Sequence, residues 1–328
     1  MYFAWDRPGE TGAPLGVLDN RFPALFEVRR LLWPRFEPLA DATRFDQGIE
    51  GFIDHIFLQN FQLFQERVQS LTGNPVRVAQ RRTASADVAL DDCFLKGVDT
   101  LIVISFDTLR TNQLAVPNEI QALRHFLSDS DHTVFVCPHH DIGAMDDVPE
   151  AEQLARQVTE FRHHGDPAIP GQQRFGGYAL SLMNGLGLPI RNRFGLRPAR
   201  AADGSPAPFE LAAPDWTGVL DGVKALNLHP HLPHFERHGD SRSKLEVLVQ
   251  QPVDTFASGH PFCEAGLTEF DAILQSRPDV FDGQLLVTDA TLWASVFGGL
   301  DDLTQLWRNV ALRPTRSARS PRERYAAI

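Results

Sequence analysis

The stretch from Thr100 to Cys137 constrains the fold more tightly than any other part of the chain. Thr100 to Ser105 (TLIVIS) is a continuous apolar, β-branched run, the pattern of a strand covered on both faces. Pro117-Asn118-Glu119 then opens the helical segment EIQALRHFL, the loop SDSD follows, and His132 to Cys137 (HTVFVC) reads as a second strand. Strand, helix and strand of these lengths make a βαβ unit with a right-handed crossover and parallel strands. The second strand runs directly into Pro138-His139-His140-Asp141. Open α/β sheets bind ligands beyond the carboxyl ends of their strands, so chemistry is expected here.

Around this unit the pattern predicts a mostly parallel sheet with helices on both faces. Pro23 to Phe36 reads as a short amphipathic helix. Apolar residues from Ile49 to Phe64 recur at three- and four-residue spacing, predicting a long helix from Gln47 to Leu71 that stops at Gly73. Strands are expected at Val76 to Gln80, Arg193 to Leu196, Lys224 to Leu228, Leu245 to Val249 and Gln284 to Thr288. Helices are expected at Phe175 to Leu186, Glu264 to Gln275 and Leu300 to Val310. The chain divides into an N-terminal helical segment (1–74) packed on an α/β domain (75–311), with a lid-like insertion at about 146–174 and a mobile basic tail (312–328).

Charge narrows the partners. Among 328 residues, 42 are acidic and 31 are Lys or Arg, a formal net charge of −11. A field of that sign repels phosphate backbones and anionic lipid, so neither nucleic acid nor a membrane surface is an expected partner. No apolar run reaches the ~18–20 residues that span a bilayer. The N-terminus lacks a basic stretch followed by an apolar core, and so reads as no signal peptide. Cys93, Cys137 and Cys263 form neither a CxxC pair nor a disulfide framework, which fits a reducing, cytoplasmic setting.

Histidine is the anomaly. Eight of the twelve histidines fall in two short regions: His139, His140, His163 and His164, then His229, His231, His234 and His238. If Lys224 to Leu228 is a strand, His229 sits at its end and His231, two residues on, points to the same side. Imidazoles at strand ends suit a transition metal: His229 and His231 could be two ligands, and His139, His140 or Asp141 from the other strand end could complete three or four. Without a metal, the same groups would serve as acid–base catalysts near neutral pH. Polar loop residues would account for them equally. Cys263 opens a helix with no partner visible in sequence. Arg193, Arg197 and Arg200 could hold a carboxylate or merely solvate the surface. Trp293 and Phe297 could line a pocket or pack in the core.

Three segments carry a resemblance to the class I glutamine amidotransferase-like superfamily, particularly its trehalose-utilisation-like (ThuA-like) and uncharacterised branches. TLIVISFDTLRTNQLAVPNEIQALRHFLSDSDHTVFVC resembles the strand, helix and strand that lead to that family's nucleophile elbow. ALNLHPH is similar to the strand that supplies the triad His and acid, and QLLVTDATLWASVFGGLDDLTQLWRNV resembles a terminal strand and helix. The resemblance covers roughly residues 75 to 311 in pieces. It implies a flavodoxin-like sheet and convergence of the elbow with the triad strand. The departures are informative: the elbow position falls on His139, Cys137 lies too early, and His231 replaces the triad Glu. The resemblance therefore implies a metal site in place of a Cys-His-Glu triad, with His139, His229 and His231 as ligands and His140, Asp141 or His234 as fourth ligand or general base. The leading expectation is a metal-dependent hydrolase or lyase, with Zn preferred to Fe, acting on a small organic molecule and possessing a possible homodimer contact through its aromatic N-terminal segment. The alternatives are a metal-free His/Asp acid–base enzyme and a non-catalytic small-molecule-binding member.

Overall fold

The computed structural model describes residues 1–12, 57–141, 148–164, 174–254 and 260–313. The expected helix at 23–36, the first part of the 47–71 helix, the ends of the 146–174 insertion and the tail from 314 lie outside these residues. Ten strands are described: β1 (Tyr2–Asp6), β2 (Ala79–Arg82), β3 (Thr100–Ser105), β4 (Thr133–Pro138), β5 (Ile190–Leu196), β6 (Glu210–Leu211), β7 (Leu232–Arg237), β8 (Leu245–Pro252), β9 (Glu269–Ser276) and β10 (Gln284–Val287). The longer helices are α1 (Gln62–Thr72), α2 (Pro117–Phe126), α3 (Glu150–His164), α4 (Gly177–Gly185) and α5 (Leu300–Leu312).

Eight strands form one sheet in the order β2-β1-β3-β4-β10-β9-β8-β6. The ladders from β2 to β10 are parallel and those from β10 to β6 antiparallel. β5 and β7 pair separately as an antiparallel ribbon. The architecture is mixed α/β, and its parallel half explains the unbroken apolar runs. Successive strand side chains alternate between faces, and here both faces are cores. Ile102, Ile104, Phe135, Cys137 and Leu286 join one cluster with Phe64 of α1 and Leu303, Leu306 and Trp307 of α5. Leu101, Val103, Val134, Val136, Leu285 and Val287 join the other, with Leu123 and Phe126 of α2 and Tyr178, Leu182 and Met183 of α4. On the α1/α5 side Trp293 meets Phe64 and Phe135 edge-on, with ring centroids 5.2 and 4.9 Å apart.

Several boundaries follow the expected signals. α1 ends at Gly73, whose φ of 75° supplies the left-handed cap its position demands. α2 starts at Pro117, with Glu119 accepting the backbone N–H of Val116 at 3.0 Å.

Four readings are corrected. The segment read as helical from residue 1 begins instead with β1, an interior strand between β2 and β3 whose residues Tyr2, Phe3, Ala4 and Trp5 are buried on both faces. The strand expected at Val76 to Gln80 forms later, at Ala79–Arg82. Glu264 to Gln275 is not a helix: a single turn from Pro261 to Glu264 stops at Gly266 (φ +80°), and Glu269–Ser276 is the antiparallel strand β9. Its apolar residues fit either period, and the glycine decides. Lys224 to Leu228, buried only at Ala225, Leu226 and Asn227, joins no ladder, because loops and side chains take its backbone groups. Lys224 N–H donates to Asp302 at 2.7 Å and Leu228 N–H to the Phe297 carbonyl at 2.8 Å. The strand starts beyond Pro230, at Leu232.

Candidate metal centre

Parallel neighbours present their carboxyl ends side by side. β4 and β10 are such a pair, with Val136 opposite Val287, so the residues just beyond them are forced together. His139 Nδ1 lies 2.8 Å from Asp289 Oδ1, although 150 residues separate them in sequence, and both are buried. Asp289 begins a tight turn from Ala290 to Trp293, and its Oδ2 accepts both the N–H of Thr291, at 3.0 Å, and the Thr291 hydroxyl.

His229 arrives from the non-ladder segment. Its N–H donates to Asn227 Oδ1 at 3.1 Å, and its Nδ1 accepts the N–H of His231 at 3.2 Å. The ring packs edge-on against Phe297 (4.4 Å between centroids) and 4.8 Å from the His139 ring. His139, His229 and Asp289 each offer a ligand atom, and the three atoms lie within 4.8 Å of one another. Around a tetrahedral ion with bonds of ~2.0–2.1 Å, ligand atoms stand roughly 3.3 Å apart, so small side-chain rotations would close the set.

The loop carrying His139 is braced from behind. Asn192 of β5 donates its amide to the His139 carbonyl and receives the Asp141 N–H on its own carbonyl at 2.8 Å. Phe175 N–H donates to the His140 carbonyl at 3.1 Å. Gly176 has φ +89°, and a Cβ there would stand 2.9 Å from the Pro138 side chain, so only glycine lets this turn approach the loop.

The expected site residues divide. His139 and His229 join the three-ligand group, and His231 does not. His231 instead pairs with His140, Nδ1 to Nε2 at 3.2 Å, beside that group. The ring centroids of His139 and His140 are 3.9 Å apart, and those of His229 and His231 are 5.1 Å apart. Asp141 forms a bidentate ion pair with Arg174, at 2.7 and 3.2 Å. His234 belongs to another cluster. It lies on β7 opposite Phe194, its Nδ1 accepts the Asp271 N–H at 3.0 Å, and it packs on Phe262. Burial, opposed by Asp271 and Glu236, holds its pKa below the ordinary imidazole value. Asp289 was not expected; its signal was an Asp-x-Thr turn directly after a strand end, the same kind of place as His139.

The other candidates resolve plainly. The Cys137 thiol faces the core between Thr288 and the Trp293 N–H, at 3.3 and 3.2 Å. Burial pushes its pKa up to about 12, so it is no nucleophile at neutral pH. Cys263 is also shifted upward, by burial and then by Asp254 and Glu264. Arg193 pairs bidentately with Glu236, at 2.9 and 3.0 Å. Trp293 is fully buried in the core, whereas Phe297 touches the site through His229. Among the described residues, no helix is long and apolar enough to cross a membrane.

Compared with models of protein families, curated proteins and solved structures, the chain matches none.

Proposed function

We propose that this chain is a metal-dependent enzyme, with a divalent transition ion, Zn before Fe, held by His139, His229 and Asp289. Its reaction is hydrolysis or cleavage of a C–N or C–O bond in a small organic molecule. The single observation that carries the reading is the convergence of these three buried ligand atoms, from three separate chain segments, at the carboxyl edge of the parallel strands. Two imidazoles and one carboxylate make the donor set of catalytic zinc sites that keep a position for water, and the same set accommodates Fe(II). When bound, the ion would supply Lewis acidity and a water with a pKa lowered towards ~7.

The chain's own groups have distinct parts in this scheme. The His140–His231 pair, 3.2 Å apart beside the ligands, would accept a proton and pass it on. Phe106 and Phe297 pack against His139 and His229 and would limit the access of bulk water to the ligands. Arg174 holds Asp141, fixing the loop that carries His139 and His140. We further read the strands β2-β1-β3-β4-β10 as a flavodoxin-like sheet of the amidotransferase-like type, with residues 146–174 as a lid-like insertion. The buried Cys137 supports metal chemistry over a cysteine triad on that scaffold.

Elemental analysis of protein purified without a His-rich tag tests the reading. About one Zn or Fe per chain, lost in His139→Ala, His229→Ala and Asp289→Ala, is the expected result. Wild-type protein that stays metal-free after incubation with Zn²⁺ and with Fe²⁺ would overturn it. The 2.8 Å contact between His139 and Asp289 favours one second reading, a metal-free acid–base enzyme in which Asp289 orients the His139 ring. That reading requires activity to survive chelation.

A further inference from the structure

A carboxylate can bind an ion through one oxygen or two, and a metal site is defined only when something decides which. For Asp289 the decision lies in a chain of buried hydrogen bonds. Asn227 donates its amide N–H to the Thr291 hydroxyl oxygen at 3.0 Å and to the Thr291 carbonyl at 2.9 Å. Thr291, its hydroxyl proton thereby directed away from Asn227, donates it to Asp289 Oδ2, which also accepts the Thr291 N–H at 3.0 Å. Oδ2 is thus held by two donors from one residue, while Oδ1 faces His139. The same Asn227 accepts the His229 N–H on Oδ1 at 3.1 Å. One amide therefore braces both the turn carrying Asp289 and the segment carrying His229. Its orientation is determined as well, since a flipped amide would set oxygen against the Thr291 carbonyl. Asn227, Thr291 and Asp289 are all buried.

We propose that Thr291 and Asn227 are positioning residues for the centre, making Asp289 a one-oxygen ligand through Oδ1 and holding it in register with His229. This rests on the metal reading above. Polar groups behind metal ligands commonly account for about 10–100-fold in affinity, and the donors to Oδ2 occupy that place here. A carboxylate freed from Thr291 could swing its second oxygen towards the ion, raising the coordination number and removing the preference for a small tetrahedral cation over a larger one.

The test is competitive titration of Zn²⁺ against a chromophoric chelator, with Co²⁺ absorption as a report on coordination number. Thr291→Val is nearly isosteric and removes only the hydroxyl donor. It is expected to weaken Zn²⁺ binding about 10–100-fold and to weaken the visible Co²⁺ bands as coordination rises, with the folded circular dichroism spectrum unchanged. Thr291→Ser restores the hydroxyl and should restore both readouts. Should the Val variant fail to fold, Thr291→Ala, which also removes the hydroxyl donor and adds no metal ligand, takes its place with the same expected direction. Folded Val or Ala variants that bind Zn²⁺ as tightly as wild type, with an unchanged Co²⁺ spectrum, would overturn the positioning role while leaving the metal centre standing. Wild-type protein that binds neither ion removes the centre itself, and this inference with it.

Discussion

Replacing Asp107 with Asn should alter how stability depends on pH. Asp107 follows β3 and is wholly buried beneath the first turn of α4. Its Oδ1 accepts the Ser105 hydroxyl and its Oδ2 the Tyr178 N–H at 2.8 Å. Burial raises its pKa from 3.8 to about 7; the bonds from Ser105 and Tyr178 oppose the rise, and the nearby Glu10 charge adds to it. In the unfolded chain the group titrates at its ordinary value. Between about pH 4 and pH 7 the folded state therefore holds a proton that the unfolded state has released, and stability falls as pH rises through that window. The shift from 3.8 to about 7, at ~1.36 kcal/mol per unit, corresponds to about 4 kcal/mol in all. About 3 kcal/mol of it falls between pH 5 and pH 8; at pH 7 the group is half titrated. Asn has no proton to lose; its carbonyl can accept the Tyr178 N–H and its amide can donate to Ser105. Urea unfolding of both proteins at pH 5 and pH 8 checks this. The Asn variant should gain about 3 kcal/mol on wild type over that interval. Parallel stability curves for the two proteins would refute the reasoning.

Two further outcomes follow from the packing. His234→Ala should leave bound metal per chain unchanged, since His234 is committed to Asp271 and Phe262; loss of metal measured by elemental analysis would return His234 to the centre. At Gly283 a Cβ would stand 2.7 and 2.8 Å from the carbonyls of Asp129 and His132, so Gly283→Ala should cost about 1–3 kcal/mol in denaturant unfolding, the usual scale of overpacking.

What the sequence made legible was whatever is encoded locally or by a single strong period. The run TLIVIS admits little besides a doubly covered strand, and Gly73 and Pro117 mark helix ends by their own backbone chemistry. The histidines at 139 and 229 stood out by their clustering; His139 does lie just beyond a parallel strand, whereas the strand expected before His229 does not form. What remained hidden depends on partners far along the chain. Tyr2 to Trp5 is too short and too aromatic to declare itself an interior strand until β2 and β3 flank it. Lys224 to Leu228 has the apolar look of a strand, yet Asp302 and Phe297, some seventy residues on, take the N–H groups of Lys224 and Leu228. Asp289 could be separated from the other 41 acidic residues only by the pairing of β10 with β4. That His231 pairs with His140 and stands outside the three-residue group has a related reason. Two-residue spacing implies a shared face only within a strand, and Pro230 ends that regularity.

The place of β10 in the sheet bears on how the molecule assembles. β10 joins the parallel strands, through β4, to the antiparallel strands, through β9. Until it docks, two sheet fragments each present an open edge, the kind of surface on which chains aggregate. The pairing of β4 with β10 spans about 150 residues, so its loop-closure entropy is met late, and folding should be slow at that step. Asp289 stands two residues beyond the same strand. A chain that has not yet joined its two fragments therefore lacks the carboxylate that completes the candidate ligand group, and under the proposed function ion capture would report finished folding.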